Sequence, residues 1–160
     1  MKIIVLSDTH IPRVAQDLPK LIYDEIRSAD MVMHAGDFVD EELFEKLGKL
    51  KKLKAVCGNM DSAWLRRVLN TKEIITAEKV RIGLIHGYGA PRELVSKVSS
   101  EFQAVDAIVF GHSHTALNTV KDGILLFNPG SPTDNVFAKV NSFGILEIKD
   151  KDIQGRIINL

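Results

Sequence analysis

Cysteine and aromatic residues are scarce in this chain of 160 residues. Its single cysteine excludes an intrachain disulfide and is typical of a protein in a reducing compartment. Aromatic residues make up only 6% of the chain, whereas hydrophobic residues as a whole make up 45%. We therefore predict a cytoplasmic protein with a core that is built mainly from aliphatic side chains.

Long apolar runs and net charge are also missing. No run approaches the roughly 20 apolar residues that a membrane helix needs, and Asp8 ends the first apolar run too early for a signal peptide. The 21 basic residues balance 21 acidic ones, so the formal charge is zero. This balance argues against a strong nucleic-acid surface, because such surfaces neutralise phosphates with excess positive charge.

The first two thirds of the chain alternate strand and helix patterns. Helix starts are predicted at Asp17, with Pro19 in the first turn, at Asp40 and at Pro91. Apolar runs predict strands at 3–6, 30–34, 53–57, 73–76, 80–86 and 106–110, and turn-bounded runs predict antiparallel strands at 115–120, 123–127, 143–148 and 152–158. We predict one α/β domain over residues 1–160, with two stacked mixed β-sheets flanked by helices.

Polar residues that could bind metal follow the predicted strands at their carboxyl ends. In an open α/β sheet this edge binds ligands, so we expect these distant residues to converge. They are Asp8, His10, Asp37, Asn59, His86, His112 and His114. Seven oxygen and imidazole ligands are too many for one ion, and without thiolates they suit two transition-metal ions better than calcium.

The same residues belong to five motifs that occur in a fixed order. The motifs are Asp8-Thr9-His10, Gly36-Asp37, Gly58-Asn59-Met60-Asp61, His86-Gly87 and Gly111-His112-Ser113-His114. Together they resemble the signature of the calcineurin-like metallophosphoesterases. Asn128-Pro129-Gly130-Ser131 resembles a further loop of the small bacterial and archaeal phosphodiesterases in that superfamily. The resemblance covers nearly the whole chain and implies an α/β/β/α sandwich that hydrolyses a small phosphodiester.

The resemblance also implies a role for each residue. Asp8, His10 and His114 would hold one ion, Asn59, His86 and His112 the other, and Asp37 would bridge the two. Manganese or nickel are the ions expected first, with iron, zinc or cobalt as alternatives. The pair of ions would make a bridging hydroxide available to attack phosphorus. Catalytic roles would fall to Asp37, Asn59 and His86.

One position departs from the signature of the larger family. Many relatives have histidine directly after the asparagine, where it can donate a proton to the leaving group, but this chain has Met60. Methionine cannot donate that proton, so the identity of the general acid is open. We expect turnover to favour leaving groups that depart unaided, because general acid assistance is typically worth 10²–10⁴-fold.

Several residues leave two interpretations open. Arg13, whose guanidinium suits a phosphate, would contact substrate together with Asn59, or else lie in solvent. Tyr88 would contact substrate or pack, and Trp64 would anchor packing or lie exposed at an interface. His34 is predicted to be a core histidine or one that orients a ligand. Cys57 is predicted to be a small buried hydrophobe.

Two functions of different classes fit this sequence. The first is a metal-dependent phosphodiesterase, and the second is a scaffold of the same fold that works through protein contacts, as the related retromer subunit does. Scaffold relatives tend to lose metal ligands, whereas every ligand position is filled here. We therefore favour the enzyme. The family also raises the expectation of a homo-oligomer.

Overall fold

The structure is a computed structural model that describes residues 1–134 and 136–160. Its elements in chain order are β1 (Lys2–Leu6), α1 (Lys20–Arg27), β2 (Met31–His34), α2 (Glu41–Leu50), β3 (Lys52–Ala55), α3 (Ala63–Val68), β4 (Lys72–Ala77), β5 (Val80–Ile85), α4 (Pro91–Ser100), β6 (Ala107–Val109), β7 (Leu117–Lys121), β8 (Ile124–Asn128), β9 (Ser142–Lys149) and β10 (Asp152–Asn159). Among the described residues, no helix is long and apolar enough to cross a membrane.

The strands form two mixed five-stranded sheets, as the sequence predicts. The first sheet has the order β10-β9-β1-β2-β3 and the second the order β4-β5-β6-β8-β7. β1, β2 and β3 run parallel, and so do β5, β6 and β8. The carboxyl ends of these parallel strands therefore lie at one edge of each sheet.

Apolar side chains hold the layers together on both faces of each sheet. Ile3 and Val5 of β1 belong to the core between the sheets, whereas Ile4 and Leu6 belong to a second core under α1, α2 and α3. A third core lies under α4, around Val98. β1 is buried on both faces, which is why its sequence is a continuous apolar run. The α/β/β/α sandwich is confirmed.

The start of α1 differs from the prediction. Pro19 is the N-cap and the helix begins at Lys20, so Asp17 does not cap it. The Asp17 carboxylate instead accepts hydrogen bonds from the Tyr23 hydroxyl and from Lys46, at 2.5 Å from the lysine nitrogen. This contact joins α1 to α2. In contrast, Asp40 caps α2 as predicted, because its side chain accepts the Glu42 amide N–H.

The prediction of antiparallel strands in the last third is correct in most pairings and wrong in one. β7 pairs antiparallel with β8, and β9 pairs antiparallel with both β10 and β1. β8, however, runs parallel to β6 on its other side, with Leu126 opposite Ile108. Both side chains belong to the core under α4, so burial of that face favours this pairing.

Candidate metal centre

Strands of both sheets bring the seven predicted ligands together. From the first sheet come Asp8 and His10 after β1, Asp37 after β2 and Asn59 after β3, and from the second come His86 after β5 with His112 and His114 after β6. The predicted convergence of strand ends is therefore present in the structure. The side chains divide into overlapping clusters.

One cluster consists of Asp8, His10 and His114. A ligand atom from each lies within 4.8 Å of the other two. The Nε2 atoms of His10 and His114 face each other at 3.3 Å, and His114 Nε2 lies 3.5 Å from an Asp8 carboxylate oxygen. Two imidazole nitrogens and a buried carboxylate that all point at one place suit a cation with mixed nitrogen and oxygen ligands.

A second cluster consists of Asp8, Asp37 and His86. His86 Nε2 lies 3.4 Å from an Asp37 oxygen, 3.9 Å from an Asp8 oxygen and 3.1 Å from Asn59 Oδ1. The same Asp37 oxygen lies 3.8 Å from His10 Nε2, so Asp37 faces both clusters. His112 Nδ1 completes the group at 3.2 Å from Asn59 Oδ1.

Burial and charge act against each other at this centre. Burial raises the pKa of Asp8, and the charges of His86 and His114 offset only part of that effect. Burial alone would lower the pKa of His86, but its hydrogen bond to Asp37 and the two nearby carboxylates raise that pKa to about 9. Burial likewise would raise the pKa of Asp37, but the hydrogen bond from His86 keeps it below its ordinary value. Without metal, His86 therefore holds a proton among the carboxylates at neutral pH.

Five of the seven residues have backbone conformations that side chains rarely adopt. Their φ angles are 53° at Asp8, 46° at His10, 62° at Asp37, 69° at His112 and 55° at His114. Each such left-handed residue costs on the order of 1–3 kcal/mol and persists only where the surroundings impose it. Strain concentrated in this way is typical of a functional site.

Buried side chains tie the ligand loops to one another. The Asp61 carboxylate accepts amide N–H groups of Gly58 at 2.7 Å, Val39 at 2.8 Å and Asp37 at 3.1 Å. The Met60 amide donates to the Asp37 carboxylate at 2.7 Å. The loops that follow β2 and β3 are thereby joined, and Asp37 is oriented by the loop that follows β3.

The Asn128-Pro129-Gly130-Ser131 loop supports the other ligands through the backbone. Asn128 donates to the Gly111 carbonyl at 2.9 Å, and the Ser131 hydroxyl donates to the Asp8 carbonyl at 2.7 Å. The loop therefore connects the residues after β1 to those after β6. It supplies no ligand atom to the clusters described above.

Asp134 belongs to the site, although the sequence interpretation missed it. Its carboxylate lies 2.5 Å from His114 Nδ1, the ring atom opposite the one that faces His10. Burial would raise the pKa of Asp134, but backbone and His114 hydrogen bonds keep it below its ordinary value. A carboxylate in this position fixes the orientation of a ligating imidazole. The only signal in the sequence was an acidic residue three positions after Ser131.

The structure decides some of the open interpretations. His34 is fully buried, accepts the Gly36 amide N–H at Nδ1 and lies 3.1 Å from the Thr9 hydroxyl, so it is a core histidine that holds two ligand loops. Cys57 is only partly buried, because it lies at the wall of a cleft. Trp64 is 37% exposed with its ring against Phe44.

The two candidate substrate residues lie on different sides of the centre. Arg13 lines a cavity together with His10, Asp37 and Asn59. The Tyr88 hydroxyl donates to Glu101 at 2.8 Å, and its ring lines a second cleft that also reaches Asn59. Both interpretations of these two side chains therefore stay open.

Comparison with known proteins places this geometry among phosphoesterases. A family model described as the calcineurin-like phosphoesterase superfamily domain matches residues 1–151. The probable metallophosphoesterase MJ0623 of Methanocaldococcus jannaschii is 40% identical over 136 aligned positions, with 83% of this chain and 69% of that protein covered. Phosphodiesterase MJ0936 of the same organism is 25% identical over 167 residues, with 95% and 96% covered.

A solved structure shows the same fold. Vps29 of Entamoeba histolytica, described as complexed with zinc, is 24% identical and superposes with a TM-score of 0.77. The match covers 99% of each chain. At this identity the likeness concerns the arrangement of strands and helices alone.

Proposed function

Because the chain belongs to the calcineurin-like phosphoesterase superfamily, we propose that it is a phosphodiesterase that uses two divalent metal ions. The observation that carries the proposal is a pair of overlapping ligand clusters that share Asp8, one of which also contains Asp37. Two buried carboxylates and several imidazoles form a donor set that fits Mn²⁺ or Ni²⁺ first, and Fe²⁺, Zn²⁺ or Co²⁺ as alternatives. When bound, such ions lower the pKa of water and neutralise charge on a phosphoryl group.

Each side chain has a defined part in this proposal. Asp8, His10 and His114 would hold one ion, Asn59, His86 and His112 the other, and Asp37 both. The position of Asp37 supports its part, since one carboxylate oxygen faces His86 at 3.4 Å and His10 at 3.8 Å.

Asn59 and Arg13 are the residues that we assign to binding the phosphate. Asn59 turns its amide oxygen toward His86 and His112, so its amide nitrogen can donate to a phosphate oxygen. Arg13 lines the same cavity, and a guanidinium matches phosphate geometry. Together they would orient a diester over the ligand clusters.

Bond cleavage depends on the leaving group in this site. Met60 follows Asn59 and lines the cavity, and its thioether cannot donate a proton. No side-chain acid at this position can therefore protonate the leaving oxygen as its negative charge develops. Aryl diesters should react faster than alkyl diesters, because aryl oxides are less basic.

Hydrolysis of bis(p-nitrophenyl) phosphate and of p-nitrophenyl phosphate by metal-depleted protein tests the proposal. Adding Mn²⁺ or Ni²⁺ should restore activity, with the diester preferred, and Asp37→Asn should lower it by at least 100-fold. Asp122→Asn is the matched control, because Asp122 has a similar φ of 51° but lies in the exposed turn between β7 and β8. Full activity after complete chelation, or equal activity of the two variants, would contradict the proposal.

A protein-interaction scaffold is the second candidate function. The Vps29-like fold favours it, as do Val136 and Phe137, which are 77% and 73% exposed beside the centre. The hydrolysis experiment separates the two functions. A scaffold would bind metal and leave both nitrophenyl esters intact.

A further inference from the structure

Apolar side chains form one wall of the cavity that opens beside the metal centre. The cavity has a volume of about 410 Å³, and its polar wall includes His10 and Arg13. The apolar wall consists of Val14, Met60, Val136 and Phe137. Each of these four is more than one third exposed. Apolar side chains clustered at the mouth of a polar site are typical of a surface that a ligand covers.

The Phe137 ring contacts a candidate metal ligand edge to face. Its centroid lies 5.6 Å from that of the His114 imidazole, and the planes meet at 89°. This edge-to-face arrangement is a favourable one for aromatic rings. Since the side chain is nevertheless 73% exposed, much of the ring is open to a further partner.

Asp134 connects this apolar wall to the metal centre. Its carboxylate accepts the amide N–H groups of Val136 at 2.8 Å, Phe137 at 3.0 Å and Ala138 at 2.8 Å, in addition to its contact with His114. One buried carboxylate thus positions both the imidazole and the backbone that carries Phe137. The wall is part of the site and not a separate surface.

A second cleft also reaches Asn59 but is lined by a different set of side chains. Its volume is about 420 Å³, and its lining includes the apolar and aromatic side chains of Ile85 and Tyr88 beside those of Arg66, Thr71 and Lys72. Lys72 is paired with Glu101 at 2.6 Å. An ester group in this cleft would meet the Tyr88 ring, so a test of the first cavity has to distinguish Phe137 from Tyr88.

We propose that Val14, Met60, Val136 and Phe137 form a subsite for an aromatic ester group, so that the substrates are aryl phosphodiesters. The inference rests on the proposed phosphodiesterase function. Two features agree on it, one of them the Phe137 ring and the other the chemistry of Met60. The exposed Phe137 ring and the Met60 thioether are favourable partners for an aromatic ring. Met60 also provides no proton, which favours the aryl oxygen as the group that leaves.

Binding of three phosphonate monoesters to the metal-loaded protein, measured by calorimetry, tests the subsite. Methyl benzylphosphonate places a ring where an aryl ester would lie, methyl cyclohexylmethylphosphonate offers similar apolar bulk, and methyl methylphosphonate offers neither. We expect the benzyl compound to bind about tenfold more tightly than the methyl compound and more tightly than the cyclohexylmethyl compound. Phe137→Ala should abolish the preference without changing the metal content.

Val120→Ala is the matched control, because Val120 is 67% exposed on β7 and lines neither cavity. It should keep the full preference. Equal affinity for the three compounds, no binding of any of them, or a preference that Tyr88→Ala removes and Phe137→Ala does not, would overturn the subsite. The hydrolysis experiment stays independent. A benzyl preference without turnover would refute the enzyme, and with it the aryl diester as a substrate, but not the binding of an aromatic group. Turnover without a preference would refute only the subsite.

Discussion

Asp134 is not a candidate metal ligand itself, but its carboxylate orients the imidazole of His114, which is one. We predict that Asp134→Asn lowers metal affinity by 10–100-fold, the usual effect of removing a carboxylate behind a ligating histidine. The amide is neutral and replaces one carboxylate oxygen with a donor nitrogen, so it cannot satisfy His114 and three backbone amides in the same way. Competition with a chromophoric chelator measures the affinity.

Asp122→Asn serves as the control for this substitution too, since it makes the same chemical change in an exposed turn. Its metal affinity should equal that of the unaltered protein. If Asp134→Asn also binds metal with unchanged affinity, then the contact with His114 has no positioning role.

At the scale of single residues, the sequence predicts which ligands converge but not how they are held. The motifs identify Asp8, His112 and the other ligands by type and order, and the strand ends bring them together. Their left-handed φ angles are invisible in the sequence. They depend on contacts between distant segments, such as the Ser131 hydroxyl on the Asp8 carbonyl. Asp134 was missed for the same reason.

At the scale of elements, local sequence patterns predict helices and strands correctly where contacts within the same segment determine the structure. The continuous apolar run predicts β1 correctly, and Asp40 correctly predicts the start of α2. The predicted cap at Asp17 is wrong, because the Asp17 carboxylate pairs with Lys46 of α2 and does not cap α1. The parallel pairing of β8 with β6 is likewise missed, since the turn at 122–123 indicates only the β7–β8 hairpin.

Alanine substitutions at two glycines should have different effects, one on the stability of α2 and the other on the geometry of the candidate metal centre. Gly48 lies inside α2 and an added methyl group would meet no atom within 4 Å. Gly48→Ala should therefore stabilise the protein by about 0.5–1 kcal/mol, the ordinary helix preference of alanine. At Gly58 a methyl group would overlap the Asp37 carboxylate and lie 2.6 Å from the Asp37 nitrogen. Gly58→Ala should displace Asp37 and weaken metal binding.

Denaturant unfolding and metal titration of both variants measure these effects. The expected pattern is a more stable Gly48→Ala protein with unchanged metal affinity and a Gly58→Ala protein with reduced affinity. If Gly58→Ala bound metal like the unaltered protein, Asp37 would not be a ligand in the observed conformation.

At the scale of the whole molecule, the candidate metal centre lies where the two sheets meet. Asp8 and Asp37 come from the first sheet, and His86 and His114 come from the second. The strand ends predict from sequence that these residues converge, but not that they come from two different sheets. The side chains that line the two cavities could not be predicted, because they depend on which residues the stacked sheets leave at the surface.

Metal bound at this meeting point should stabilise the whole fold. At a free metal concentration 100 times the dissociation constant, the free energy of unfolding should rise by about 2.7 kcal/mol. Chelation should remove this gain.

Without metal, the raised pKa of His86 stabilises the fold fully below about pH 6.5, and this contribution is lost as the pH rises to about 9.

Metal binding and protonation of His86 should therefore compete. At pH 7.5 the imidazole of the metal-free protein is protonated, since its pKa is raised to about 9, whereas a ligand must be neutral. Binding should release about one proton from His86 at this pH, and the apparent affinity should rise with pH until about 9. Calorimetry in two buffers with different ionisation enthalpies measures the release. The release should fall by about one proton in His86→Asn. Identical heats in both buffers would mean that His86 is already neutral or is not a ligand.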